Sequence, residues 1–139
     1  MLVAALALDV AAAAPVQRTA QAPLSLSCPA RLPTEQSAAP VAGWTLDRSP
    51  KSNGRLSHTS FYAGPVAGDA QLRPTGGGKR GRITTAINDF SAGDAIYFAC
   101  FYQGTDMVLS KPLPRRIRQC TSVSDEMKPA ATDEVITCR

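Results

Sequence analysis

The stretch IYFACFYQGTDMVLSKPL, Ile96 to Leu113, decides the fold. Written as an extended chain, it sets Ile96, Phe98, Cys100 and Tyr102 on one side and Tyr97, Ala99 and Phe101 on the other. Gln103-Gly104-Thr105-Asp106 then supplies a turn. A strand that is apolar on both sides belongs in the middle of a β structure, because an exposed edge would leave one side in water. The stretch therefore reads as the central hairpin of a small β domain, and the flanking segments are expected to wrap around it.

Upstream, RITTAINDF (Arg82 to Phe90) is rich in β-branched residues and reads as a strand with Ile83, Thr85 and Ile87 on one face. Ser91-Ala92-Gly93-Asp94 turns it into the central hairpin. LSHTSFYAG is the preceding strand, with Leu56, His58, Ser60 and Tyr62 on one face and Ser57, Thr59, Phe61 and Ala63 on the other. Gly64 to Pro74 holds many turn formers and reads as a structured loop that meets the core at Val66 and Leu72. Trp44, the single tryptophan, reads as a core anchor. Further back, Leu24 and Leu26 alternate with serines up to Cys28, giving a short first strand. Downstream, PRRIRQCTSV leads to a loop over Asp125 to Asp133, and Val135-Ile136-Thr137-Cys138 forms a last strand.

The 139 residues suit one domain. Charged residues make up 19% and aromatics 6%, with 11 prolines and 10 glycines, which fits a loop-rich β protein better than a helical bundle. The expected fold is mainly β: a small antiparallel sandwich or barrel of about six or seven short strands with two disulfides. Residues 1–13, apolar and alanine-rich, resemble a secretory signal, although no base precedes the run and Asp9 interrupts it. Ala11-Ala12-Ala13 satisfies the small-x-small cleavage rule. Removal of residues 1–13 takes away Asp9 and no base, raising the formal charge from +4 to +5. Residues 14–24 read as a disordered leader and 25–139 as a single disulfide-bonded β domain. The apolar run is too short to span a membrane. Export places the chain in the periplasm or outside the cell.

Cys28, Cys100, Cys120 and Cys138 are even in number and widely spaced, which for an exported chain implies two disulfides. Of the three connectivities, Cys120–Cys138 with Cys28–Cys100 is preferred, because Cys120 and Cys138 bracket one strand-loop-strand unit. Zinc is disfavoured: there is no C-x-x-C pair, and the one histidine, His58, is distant in sequence from every cysteine.

Gly76-Gly77-Gly78-Lys79-Arg80-Gly81-Arg82 invites a phosphate-binding reading, but the phosphate-cradling loop needs Lys followed by Ser or Thr at a helix start. The run reads instead as a flexible basic hairpin tip. With Arg115, Arg116 and Arg118, the cations Lys79, Arg80 and Arg82 form a candidate anion-binding set, provided that the two runs meet on one side. Catalytic chemistry has little support. His58 would have to serve any nucleophile, and no Gly-x-Ser-x-Gly elbow exists. Asp89, Asp94 and Asp106 lie near strand ends, where backbone hydrogen bonding explains an aspartate without a glycosidase. No catalytic residue, metal or cofactor is expected.

The order Cys28-Pro29, Ala42-Gly43-Trp44, Phe61-Tyr62-Ala63-Gly64-Pro65, Leu72-Arg73-Pro74, Tyr97 to Thr105, Leu113-Pro114 and Cys120 resembles a family of small secreted proteins of Gram-negative bacteria catalogued under an STY-type locus tag. The resemblance covers about residues 28–138 and implies export, an envelope or periplasmic location and a compact disulfide-bonded domain. It supplies no catalytic residue. Taken together, these readings favour a non-catalytic binding or accessory protein of the cell envelope. An inhibitor of a cell-wall hydrolase, resembling lysozyme inhibitors, and a binder of anionic ligands through the basic loops are the alternatives. The partner classes are an envelope protein or an anionic glycan or lipid; nucleic acid is disfavoured, and no transmembrane segment is expected.

Overall fold

The computed structural model describes residues 21–33, 41–42 and 54–139. The signal-like segment, the leader up to residue 20 and Trp44 lie outside them. Eight strands are present among the described residues: β1 Leu24–Leu26, β2 Leu56–Ala63, β3 Gly76–Arg80, β4 Ile83–Asp89, β5 Ile96–Tyr102, β6 Val108–Pro112, β7 Gln119–Asp125 and β8 Val135–Cys138. Two short 3-10 turns, Val66–Gly68 and Ala131–Asp133, are the helical pieces described.

All pairings are antiparallel. Five strands form one sheet in the order β1-β8-β7-β4-β3, and three form the other in the order β2-β5-β6. The fold is thus mainly β, as the sequence pattern implies, and it takes the sandwich form. β5 sits in the middle of its sheet, the place its two apolar faces require. Its inward side chains Ile96, Phe98, Cys100 and Tyr102 pack with Phe61 of β2 and, from the facing sheet, with Leu26, Ile136 and the two cysteines of β7 and β8. Phe98 is 1% exposed and Cys120 and Cys138 are fully buried. Two disulfides are present, Cys28–Cys100 between the segment after β1 and the centre of the facing sheet, and Cys120–Cys138 across the directly paired β7 and β8.

The structure departs from the sequence pattern in four places. First, the Gly76–Arg80 run is strand β3, paired residue for residue with β4, and the hairpin tip is confined to Gly81 and Arg82. The register, supplied by β4, overrides the low strand propensity of glycine. Gly77 is required there: its φ is +122°, and a Cβ on it would lie 2.1 Å from the Thr85 carbonyl oxygen. Second, a bulge between Leu56 and His58 breaks the alternation of β2, so that Leu56 joins Thr59 and Phe61 on the inner side while His58 pairs with Phe101 on the outer. Third, Leu72 packs against the core, but Val66 sits in a 3-10 turn without buried residues. Fourth, the face of β4 that carries Ile83, Thr85 and Ile87 is directed away from the core. Asn88 pairs with Cys120 and Ala86 with Ser122, and those two β7 residues are buried, so Thr84, Ala86 and Asn88 face inward.

Candidate functional site

Packing between the sheets is uneven because the inward side chains are. Over β1, β8 and the start of β7 they are Leu26, Ile136 and the Cys120–Cys138 bridge, which pack in the core with β5. Over β4 and the middle of β7 they are Ala86, Asn88 and Ser122, small or polar, and a cleft of about 240 Å³ remains there. Ser60 and Phe61 of β2, Arg73 and Pro74 of the following loop, and Glu134 are also among its lining residues. β2 is an edge strand of its sheet, and at this edge Gln71 forms an isolated bridge to Tyr62 while its Nε2 donates to Ser60 Oγ at 2.7 Å.

The polar groups of the cleft are only partly satisfied by one another. Thr59 Oγ1 donates to Glu134 Oε2 at 2.8 Å, which fixes that carboxylate in the wall. Asn88 is 5% exposed, and its Oδ1 is buried with no hydrogen-bond partner. Such an orphaned acceptor forfeits on the order of 1–3 kcal/mol of desolvation energy. Arg73 is exposed at the cleft. The arrangement therefore offers a carboxylate, a guanidinium, an amide and hydroxyls within one small concavity. These groups are placed to hold a hydrogen-bonding partner.

None of these residues stands out in the sequence. The signal that points to Asn88 is its place opposite the Ile83–Thr85–Ile87 face, and it becomes legible only once the register with Cys120 is known.

The sequence-derived candidates fall elsewhere. His58 is exposed on the outer face of the three-stranded sheet, its ring stacked on Phe101 with centroids 4.5 Å apart and planes 4° apart. Asp94 Oδ2 accepts from the Ser91 amide at 3.2 Å inside a turn, and Asp106 lies in the turn between β5 and β6. Asp89 Oδ2 accepts from Thr75 Oγ1 at 2.7 Å and its Oδ1 from Gln119 Nε2 at 2.8 Å, while Arg139 Nη2 donates to Gln119 Oε1 at 2.8 Å. These contacts, reinforced by the Arg139 charge, hold the Asp89 carboxyl below its ordinary range.

The two basic runs do not meet. Ile83, next to the tip, pairs with Asp125, whereas Asp89, at the other end of β4, pairs with Gln119, next to Arg118. The runs are thus separated along β4 by its seven residues, or roughly 20 Å. Lys79 is ion-paired with Glu126 and Arg82 with Asp125 at 3.3 Å. Arg80 and Arg116 are exposed. Arg115 Nη1 donates to the Gly93 carbonyl, and Arg118 Nη1 donates to the Arg115 and Ile117 carbonyls. Among the described residues no three His, Cys, Asp or Glu side chains are placed to hold a metal ion, and no helix is long and apolar enough to cross a membrane.

Residues 48–139 match the family model described as Type VI secretion system Tli immunity protein. The match takes in about two thirds of the chain, from ahead of β2 to the last residue, and includes every residue of the cleft named above. No curated protein and no solved structure matches the chain. The chain belongs to the Tli immunity family.

Proposed function

We propose, from the chain's membership of the Type VI secretion system Tli immunity family, that it protects the cell that makes it by binding a toxin effector, and that it does so in the periplasm as a stoichiometric binder rather than an enzyme. The family match over residues 48–139 carries this reading. The two disulfides support the location, since such bonds persist in oxidising compartments, and so does the signal-like reading of residues 1–13. The cleft supports the mode of action, because its polar groups are placed to hold a partner. An inhibitor of a resident cell-wall hydrolase would act by the same physical means, occlusion of another protein's surface; the family directs the reading to a delivered toxin.

The test is a competition between siblings. A strain lacking this chain is grown against its parent, whose type VI system is active, and again with the chain restored in exported form. The deletion strain should be killed and the restored strain should survive. Equal survival of the deletion strain and the parent sinks the proposal.

A further inference from the structure

We infer that the cleft between β2, β4 and β7 is where the toxin docks, and that the toxin inserts an uncharged hydrogen-bonding group there, an Asn or Gln side chain or an exposed turn peptide. This rests on the immunity reading above.

Of the three buried polar residues among the described residues, Asn88 and Ser122 face into this cleft from β4 and β7, and Ser60, held by Gln71 Nε2 at 2.7 Å, borders it. A two-layer core has no need of Asn88 and Ser122 on its inner side, because buried polar groups are costly unless paired. Asn88 Oδ1 is unpaired, and each such group in a native protein calls for an explanation. A partner that brings its own donor supplies one. An inserted amide, being both donor and acceptor, satisfies the Asn88 amide at either of its ends. The charges lining the cleft balance, with Glu134 in the wall and Arg73 exposed, so a neutral occupant is matched and a charged one is opposed from one side. Size completes the argument. At about 240 Å³ the cleft is smaller than the pockets that engulf small ligands, roughly 300 Å³ and upward, and it accommodates a side chain presented by a protein.

The inverted pattern of β4 agrees with this. A strand serving only the core would have turned its Ile83, Thr85 and Ile87 face inward; here Thr84, Ala86 and Asn88 occupy that side. An unpaired polar side chain on the inner side of a strand, beside a concave surface, is what a binding site calls for.

The experiment uses the full exported chain. The effector is identified as the one whose removal from the parent strain abolishes killing of the deletion strain, and it is then purified. Its affinity is measured by calorimetry for the wild type, for Asn88→Leu and Ser122→Leu, and for Thr137→Ser on the opposite face of the sheet. Asn88→Leu should unfold at the same urea concentration as the wild type or a higher one, while its affinity falls by at least about tenfold and protection falls with it. Thr137→Ser should bind as the wild type does. Binding by folded Asn88→Leu and Ser122→Leu within about twofold of the wild type overturns the assignment of the cleft. Should both variants fail to fold, Arg73→Gln, at an exposed position, decides in the same way. If the wild-type chain protects and the cleft variants protect equally well, only the docking site is wrong. If the wild-type chain neither protects nor binds, the immunity reading and the docking site fall together.

Discussion

Asp89 shows how a single carboxylate closes one end of the five-stranded sheet. It lies at the last position of β4, opposite Gln119 of β7, and accepts hydrogen bonds from both Thr75 and Gln119, while Gln119 is itself held by Arg139. The largest influence lowering its pKa from the ordinary 3.8 is the Thr75 hydroxyl, followed by the Gln119 amide; partial desolvation opposes them and the Arg139 charge assists. A carboxyl whose pKa is depressed by folding binds its proton more readily in the unfolded chain. Its stabilisation is therefore fully present above the ordinary aspartate value and is lost as pH falls through that value toward the lower folded one. The expected outcome is that the urea midpoint of the wild type drops between roughly pH 5 and pH 3, and that Asp89→Asn drops less over the same window. Parallel curves for the two proteins would show that the contacts around Asp89 contribute nothing to stability. Sequence alone reveals the aspartate near a strand end but not its partners, because Thr75 and Arg139 are distant in the chain and meet it only through the sheet.

At the scale of elements, legibility followed the simplicity of the pattern. β5 could be read directly, since a strand apolar on both faces has one reasonable place, and the structure puts it between β2 and β6. β2 was harder, because the bulge between Leu56 and His58 moves every earlier residue to the other face, and a bulge leaves no mark in a period-two pattern. β4 was misleading in a useful way: its more hydrophobic face is the outer one, and the inner face carries Asn88. That inversion marks the cleft, so the part of the sheet that the pattern describes worst is the part assigned here to binding. β3 is the remaining case, a glycine run that strand propensity alone rejects. Its pairing depends on Gly77, whose positive φ and close approach to the Thr85 carbonyl leave no room for a side chain. Gly77→Ala is expected to cost about 1–3 kcal/mol in urea unfolding and to raise hydrogen exchange at the β4 amides that face β3, while those that face β7 stay protected. Wild-type stability and exchange in this variant would show that β3 tolerates a side chain at residue 77.

For the whole molecule, the two disulfides do different work. Cys120–Cys138 joins strands that are already paired and closes a separation of 18 residues, whereas Cys28–Cys100 spans 72 residues and crosses from one sheet to the other. β1 is only three residues long and leads into Cys28, so the cross-sheet bridge is what secures that edge of the sandwich. Loop-closure entropy gives about 3 kcal/mol for the shorter closure and about 4 kcal/mol for the longer. Domains of this size are stable by about 5–15 kcal/mol, so losing one bridge leaves a weakened fold and losing both leaves little or none. Cys28→Ala/Cys100→Ala should therefore unfold at lower urea than Cys120→Ala/Cys138→Ala, and the fully reduced chain should be largely unfolded at 37 °C by circular dichroism. An unchanged midpoint after loss of Cys28–Cys100 would refute the stapling role. The consequence reaches function: if folding depends on oxidation, a form directed to the cytoplasm should fail to protect in the sibling competition even when its amount matches that of the exported form. Protection by a cytoplasmic form kept reduced would show that the fold stands without its bridges, and would move the encounter with the toxin out of the periplasm.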